Sequence, residues 1–269
     1  MTATFGHTQL FNRYQLDLTL KLETPLRLSS GRASDDTDAP LMRRFDGMPF
    51  IPGSSLRGAI RSEIERIISG VGHAICPKIK SCNLFSKEGE HKDCAEKFRV
   101  YQKGQEIEGH TLSDREIADY AEQHLCDVCK LFGSSLYASH LVIEDAIPVG
   151  NYPCRIRDGV GIDRDTGAAR ETVKFDYEVM ELMREPALFT STLRIENLTA
   201  NDKILLKLVL DLLEKEGLYV GGKRAAGLGR IKLSQKTITG FTNPQELWQR
   251  LQNGETLCQA MTWDKVQPC

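Results

Sequence analysis

Leucine alternates with polar residues along residues 14–24, and this period of two predicts a β-strand with one buried face. The positions expected to point inward are Leu16, Leu18, Leu20 and Leu22. Residues 139–149, which contain a proline near their end, and residues 193–198 are also predicted to be strands. Two shorter strands are predicted at residues 218–220 and 230–233.

Apolar residues recur with a helical period in two other stretches. Residues 55–68 follow the turn signal Pro52-Gly53, and Ser54 or Ser55 is expected to cap the helix that they form. Its apolar stripe consists of Leu56, Ile60, Ile64, Ile67 and Ile68. A second core helix is predicted over residues 201–216, with a stripe of Ile204, Leu205, Leu208, Val209, Leu212 and Leu213.

Residues 69–130 interrupt these patterns with glycine, histidine, cysteine and lysine, which indicates an insertion rather than core. Within it, Ser113 and Glu116 have the spacing of a capping box and predict a short helix over residues 113–124. The insertion is otherwise without a clear helix or strand signal.

Residues 160–177 predict a β-hairpin whose turn lies at residues 165–167, with charged residues on both arms. A last short helix is expected after Asn243. The order strand, helix, strands, helix and final strand predicts an α+β sandwich of the ferredoxin or RRM type.

Composition narrows the functional classes. The 269 residues are 41% hydrophobic and 27% charged, which predicts a folded chain with a real core of one large or two small domains. An apolar run of about 18 residues and an apolar signal-peptide core are both absent from the sequence, so we expect a cytoplasmic protein. The net charge of −2 excludes a polycationic nucleic-acid binder and leaves local basic patches. Residues 217–245 form such a patch, with no acidic residue and the cations Lys223, Arg224, Arg230, Lys232 and Lys236.

Cysteine spacing suggests a metal site, because eight cysteines without a secretory signal favour metal ligands or free thiols over disulfides. Cys126 and Cys129 lie three positions apart and can supply half of a tetrahedral zinc site. The remaining ligands are expected among Cys76, Cys82, Cys94, His73 and His91. The alternative is a set of reduced thiols with no metal, which is also the interpretation of Cys154, Cys258 and Cys269.

Two stretches have the composition of phosphate sites. The first is the start of the predicted helix, where Ser54, Ser55, Arg57 and Arg61 surround free backbone N–H groups. The second is the glycine-rich segment 221–230, in which glycines permit close backbone approach and cations can meet phosphates. Its relevant residues are Gly221, Gly222, Lys223, Arg224, Gly227, Gly229 and Arg230. The alternatives are a core helix with solvated arginines and a tight connection between strands.

The order of these parts resembles the RAMP superfamily, the RNA-binding proteins that form the backbone of type III CRISPR effector complexes. Pro49, residues 51–58 and Arg61 are similar to the family's glycine turn and helix, and residues 221–230 to its C-terminal glycine-rich loop. The stretch 126–134 matches the cysteine-containing motif of zinc-bearing members. The hairpin, residues 161–169 followed by 174–179, resembles the thumb that separates guide and target bases, and it carries Arg164.

The resemblance implies one RAMP domain over residues 1–269. An RRM-like core is expected at residues 10–68 and 131–235, with a lid-like insertion at 69–130. A thumb is expected at residues 150–185 and a C-terminal extension at 236–269. It also implies a structural zinc on Cys76, Cys82, Cys126 and Cys129, with Cys94 and His91 as alternatives. The expected partners are CRISPR guide RNA, complementary target RNA, neighbouring RAMP subunits and other type III subunits.

The acidic loop 29–38 contains Asp35, Asp36 and Asp38, which by default only increase solubility. In cleaving RAMP subunits a loop aspartate precedes the glycine turn, and Asp38 matches that position best, with Asp36 as the alternative. The resemblance therefore implies an endoribonuclease that uses a divalent ion such as magnesium. Two alternatives remain: a backbone subunit that only binds RNA, and a guide-processing endonuclease with histidine chemistry, for which His7 is the histidine near the first strand.

Overall fold

Helices and antiparallel strands alternate along the chain in a mixed α+β architecture. The computed structural model describes residues 9–31, 37–75, 79–82, 93–183, 185–256 and 258–268. The helices are α1 (Gly53–Ile75), α2 (Cys94–Ile107), α3 (Asp114–His124), α4 (Asp127–Phe132), α5 (Ala200–Lys215) and α6 (Pro244–Asn253). The strands are β1 (Arg13–Leu22), β2 (Leu141–Ile143), β3 (Ile147–Pro148), β4 (Cys154–Ile162), β5 (Ala169–Met180), β6 (Ala187–Glu196), β7 (Leu218–Tyr219), β8 (Arg230–Phe241) and β9 (Gln259–Ala260).

The main sheet is antiparallel, with the order β2-β6-β1-β8-β7, and β3 and β9 add to β6 and β8. β1 lies at its centre and pairs with β6 and β8 over its full length. A register shift against β8 after Thr19 bends the sheet locally. β4 and β5 form a separate two-stranded sheet.

The hydrophobic core lies between this sheet and the two long helices. The four leucines predicted to point inward from β1 are at most 2% exposed, which confirms the alternation. Leu56, Ile60 and Ile64 of α1 are buried with them in one core cluster. Ile204 was wrongly assigned to the buried stripe of α5, since it is 51% exposed. Because 3.6 residues make a turn, the buried face is set one position later, at Leu205, Leu206, Val209, Leu210 and Leu213.

Element boundaries differ from the sequence prediction in several places, and β6 begins at Ala187, six residues before its predicted start. The predicted strand 139–149 is two short strands, β2 and β3, because Ile51 pairs with Ala146 between them. β8 continues to Phe241, well past its predicted end. The insertion contains α2 and α4 in addition to the predicted α3, whose Ser113–Glu116 capping box is confirmed. Within the described ranges, every helix is too short or too polar to cross a membrane.

Candidate functional site

Four buried cysteines meet inside the insertion: Cys82, Cys94, Cys126 and Cys129. Cys94 is the first residue of α2, Cys126 caps the N-terminus of α4, and Cys129 lies within α4. The Cys82 Sγ lies 3.7 Å from that of Cys94, 3.7 Å from that of Cys126 and 3.4 Å from that of Cys129. Segments distant in sequence therefore bring four sulfur atoms to one point.

These separations match a tetrahedral metal site. A zinc–sulfur bond of about 2.3 Å places neighbouring sulfurs of a tetrahedron roughly 3.8 Å apart. All four sulfur atoms lie within 4.8 Å of one another, so the cluster can hold a metal ion such as zinc. Cys94, an alternative in the sequence analysis, completes this set, while Cys76 and His91 lie outside the described residues.

The pKa shifts of the cluster's thiols are also consistent with a bound cation. Hydrogen bonds from Cys126 and Cys129 lower the pKa of the Cys82 thiol to about 7. The same two thiols hold the pKa of Cys94 far below its ordinary value. Hydrogen bonds with its three neighbours, first Cys129, raise the pKa of Cys126. The four thiols are therefore electrostatically coupled, and a divalent cation would stabilise all four as thiolates.

Arg61 contacts this cluster, although its spacing from Arg57 made it a candidate phosphate ligand. Its Nη2 lies 3.2 Å from the Cys129 Sγ, and its Nη1 donates to the Gly133 carbonyl at 3.2 Å. Its Nε donates to the Glu65 carboxylate at 2.9 Å. All three guanidinium nitrogens are thus engaged within the protein.

The N-terminus of α1 begins at Gly53, earlier than predicted, so Ser54 and Ser55 lie inside its first turn and the proposed serine cap was wrong. The carboxylate of Asp145 accepts a hydrogen bond from the Gly53 N–H at 2.7 Å. A Cβ on Gly53 would lie 2.2 Å from the Ile143 carbonyl oxygen, so only glycine permits this contact between α1 and the sheet. A protein carboxylate thus already occupies part of the predicted anion site.

Among the described residues, two arginines have a buried side-chain donor without a hydrogen-bond partner. The Nε atoms of Arg27 and Arg57 are buried and have no hydrogen-bond partner among the described residues. Burial and the nearby charge of Arg61 lower the pKa of Arg57. A bound anion would accept from these N–H groups and would stabilise the charged form of Arg57, because a buried N–H without an acceptor is unfavourable. Sequence analysis did not single out Arg27, whose signal is a lone cation between the buried Leu26 and Leu28.

The glycine-rich loop between β7 and β8 is constrained by its own chain. A Cβ on Gly221 would lie 2.1 Å from the Arg27 carbonyl oxygen, and one on Gly229 would lie 2.0 Å from the Val220 carbonyl oxygen. Gly222 donates its N–H to the Arg27 carbonyl at 2.9 Å. The loop is therefore fixed against the segment that follows β1, and Gly227 closes a turn with a φ of 77°.

The cations of this loop have different environments. Lys223 places its Nζ 4.0 Å from the centre of the Phe175 ring in β5. Arg224 is exposed, and its Nε donates to the Gly221 carbonyl at 3.3 Å. Arg230 instead donates to the Glu216 carbonyl at 2.7 Å and pairs with the carboxylate of Glu23. The first two remain candidates for phosphate contact, whereas Arg230 serves the fold.

The β4–β5 hairpin has its turn where the sequence predicted it. Asp163 accepts hydrogen bonds from the backbone N–H groups of Asp165 and Thr166 at 2.9 and 3.0 Å. Arg164 is exposed in this turn. Exposed apolar side chains continue along β4, at Ile156, Val160 and Ile162. One surface of the hairpin thus offers apolar groups to a partner.

Asp38 is held against β5 by reciprocal hydrogen bonds. The Asp38 N–H donates to the Asp176 carboxylate at 2.8 Å, and the Asp176 N–H donates to the Asp38 carboxylate at 3.3 Å. The Thr37 hydroxyl and the Asp38 N–H lower the pKa of Asp176. The ionised carboxylate of Asp176 therefore fixes an exposed Asp38 at the hairpin. Asp36 and Asp35 lie outside the described residues.

The loop that carries Asp38 makes a second attachment to the same strand. Glu178 donates its backbone N–H to the Ala39 carbonyl at 3.1 Å, and its carboxylate accepts from the Leu41 N–H at 2.9 Å. The same carboxylate forms an ion pair with Arg43. The segment 37–43 thus follows β5 across several residues.

Comparison with known proteins gives one match. A sequence model of the RAMP superfamily matches residues 19–232 of the chain. No curated protein matches it at a significant level. The matched region begins in β1 and ends in β8, so it contains the loop of Asp38, α1, the cysteine cluster, the hairpin and the glycine-rich loop.

Proposed function

This chain belongs to the RAMP superfamily, and on that premise we propose that it is a guide-RNA-binding backbone subunit of a type III CRISPR complex that cleaves target RNA. RAMP proteins are CRISPR-associated RNA-binding proteins, and they generally work with CRISPR RNA and other subunits of the effector.

The observation that supports cleavage best is the position of Asp38. Its loop is attached to β5 at Asp176 and Glu178, so an exposed carboxylate lies at the hairpin rather than in a freely moving loop. A hairpin that separates bases would place a distorted RNA linkage beside this carboxylate. Fixed geometry of this kind is what a catalytic base or metal ligand requires.

The proposed reaction uses only RNA and a carboxylate. The 2′-oxygen of one nucleotide attacks the neighbouring phosphorus while the bond to the 5′-oxygen breaks. Asp38 accepts the 2′-OH proton, and the departing 5′-oxygen takes a proton from solvent water and leaves as a 5′-OH. A divalent ion such as magnesium, if held by Asp38, would stabilise the charge that develops on the phosphate. The products are a 2′,3′-cyclic phosphate and a 5′-OH end, so electrons and protons balance.

The strand order supports a ferredoxin-like core for this function. Taken as β2-β6-β1-β8, with α1 after β1 and α5 after β6, the elements follow a βαββαβ order. We assign the thumb to the hairpin of β4 and β5, whose exposed apolar residues can wedge between bases. Unstacking the bases costs about a few kcal/mol per step, and added contacts between the protein and the bent RNA offset this cost.

The guide-binding surface is proposed to include Arg27, Arg57, Lys223 and Arg224. The first two have buried donors that find no partner among the described residues, and the last two lie on the glycine-rich loop. Arginine and lysine contact phosphates without reading sequence, so binding along the guide should be independent of sequence. Arg164 is placed with the thumb.

We expect Lys223→Ala combined with Arg224→Ala to weaken binding of unrelated single-stranded RNAs to the same degree. Loss of two phosphate contacts should reduce the slope of log affinity against log salt by about 1.4. The control is Lys207→Ala with Lys215→Ala on α5, which removes two cations paired with Asp211. Filter binding over a salt series measures the slope, and a loss confined to one RNA sequence would contradict the prediction.

The cysteine cluster is proposed to hold a structural zinc. Four buried sulfur ligands leave no open position for substrate, which distinguishes a structural from a catalytic zinc site. The ion would connect α2 and α4 with the segment 79–82. RNA cleavage is therefore assigned to Asp38 and not to this metal.

Two other functions remain for comparison. A subunit that binds RNA without cutting it would use the same arginines and lysines, and the cleavage assay below separates it from our proposal. A guide-processing endonuclease would use histidine chemistry. His140 is 4% exposed and bonded to Asp202 and Tyr137, whereas His110 and His124 are exposed on the insertion, so the repeat-RNA assay below decides this alternative. His7 lies outside the described residues.

The test uses two substrates. The assembled complex should cut a labelled RNA complementary to its guide at regular intervals, and the isolated subunit should leave a CRISPR repeat RNA intact. Cutting of repeat RNA by the subunit alone would favour the processing function. Binding of target without any cleavage by the complex would favour the non-catalytic subunit.

A further inference from the structure

Arg61 occupies a position on α1 that separates it from the other basic residues of that helix. It lies one turn after Arg57, yet its guanidinium is directed at the cysteine cluster and at the carbonyl that follows α4. In the part of the chain that the structure describes, Arg57 has a buried Nε without a partner, whereas each nitrogen of Arg61 has an acceptor within 3.2 Å. The two arginines therefore have different tasks.

The contact with Cys129 has a clear chemical consequence. A divalent ion with four thiolates carries a net charge of −2, which a buried site must offset. The Nη2 of Arg61 lies 3.2 Å from the Cys129 Sγ, where it can donate to the sulfur lone pair and supply positive charge. Outer partners of this kind orient metal ligands and tune their basicity.

The orientation of Arg61 is itself fixed by buried groups. The Glu65 side chain is 8% exposed and accepts from the Arg61 Nε at 2.9 Å. The Gly133 carbonyl, at the C-terminal cap of α4, accepts from Nη1 at 3.2 Å. Arg61 thus joins α1 to both the ligand and the end of the helix that carries it.

We propose that Arg61 is a positioning residue of the cysteine metal centre, which holds the Cys129 thiolate through an N–H···S contact, and is not a phosphate ligand. This inference rests on the metal centre proposed above. It also connects that centre to α1, the helix that carries Arg57.

The test measures zinc release from the full-length protein to a chromogenic chelator. Arg61→Gln should accelerate release by about 10- to 100-fold, the usual effect of losing an outer partner of a metal ligand. Arg61→Lys, which keeps the charge, should restore part of the retention. Glu65→Gln should accelerate release less, because it only loosens Arg61. Arg66→Gln, on the exposed side of α1 and paired with Glu63, should match the wild type.

A second measurement separates this role from general destabilisation. In protein loaded with Co²⁺, Arg61→Gln should shift the sulfur-to-cobalt charge-transfer band, because the N–H···S contact lowers the energy of the sulfur lone pair. Glu65→Gln and Arg66→Gln should leave the band in place. The slope of RNA affinity against salt should fall in Arg57→Gln and stay unchanged in Arg61→Gln.

The contrary results are distinct. Wild-type zinc retention and an unshifted band in Arg61→Gln, together with a reduced salt slope, would make Arg61 a phosphate ligand and overturn the inference alone. A wild-type protein that takes up neither zinc nor cobalt would overturn the metal centre and, with it, this inference. If Arg61→Gln does not fold, zinc release from Glu65→Gln decides: release faster than from the wild type supports the inference, and wild-type release overturns it.

Discussion

Asp38→Ala should lower target RNA cleavage by about 10²- to 10⁴-fold, the usual contribution of a general base. Guide and target binding should be almost unchanged, because a carboxylate near phosphates repels RNA and adds nothing to affinity. Chelation of divalent ions should reproduce the defect in the wild type if Asp38 acts through a metal. The assay is cleavage of a labelled complementary RNA by the complex assembled with one mutated subunit type.

The matched controls use other aspartates. Asp46→Ala removes an exposed carboxylate in the same region and should cut normally. Asp176→Ala removes the carboxylate that accepts from the Thr37 hydroxyl and the Asp38 N–H, and it should cost up to about 10²-fold through misplacement of Asp38. Asp176→Asn keeps an acceptor oxygen and should retain most activity. Equal loss in both Asp176 variants would show that its charge takes part directly.

Other outcomes would move or remove the catalytic site. Loss of cleavage in Asp36→Ala with full cleavage in Asp38→Ala would shift the site by two residues. Full cleavage in Asp35→Ala, Asp36→Ala and Asp38→Ala would make this subunit a scaffold for RNA.

Replacement of Cys126 or Cys129 by serine should release the metal and expose residues 70–130 to protease. Structural zinc contributes an apparent binding free energy of about 10–16 kcal/mol in small zinc domains. Loss of this contribution exceeds the free energy of unfolding expected for an insertion with few buried apolar residues. Elemental analysis should find one zinc per chain in the wild type and little in the variants. Limited proteolysis should then cut within the insertion first.

Cys154→Ser and Cys258→Ser are the controls for this experiment. Both thiols are partly exposed and lie outside the cluster, so these variants should keep zinc and resist protease like the wild type. Freshly purified wild-type protein without zinc would count decisively against a structural metal. Zinc retained by Cys129→Ser would show that the four-sulfur set is wrong.

Local patterns made much of the fold predictable. The alternation in β1, the capping box of α3, the hairpin turn near Asp165 and the Asn243 cap of α6 all depend on residues a few positions apart. Such signals need no knowledge of the tertiary structure. Ile204 shows the limit, since periodicity identifies a helix but packing decides which side of it is buried.

The features that sequence analysis missed depend on distant contacts. Asp145 caps α1 across 92 positions, and Arg61 reaches Cys129 across 68. Cys94 was one of several alternative metal ligands, because the helix that it begins, α2, has no strong helical pattern in the sequence. A spacing of three or four residues predicts a shared helix face but not the group that this face meets.

The central claim, that this subunit holds a CRISPR guide, is tested most directly by sequencing the RNA that copurifies with the protein. Binding along the backbone of a guide in an effector complex predicts a uniform set of short RNAs that share a repeat-derived tag and differ beyond it. A broad mixture of cellular RNA without such a tag would contradict the claim.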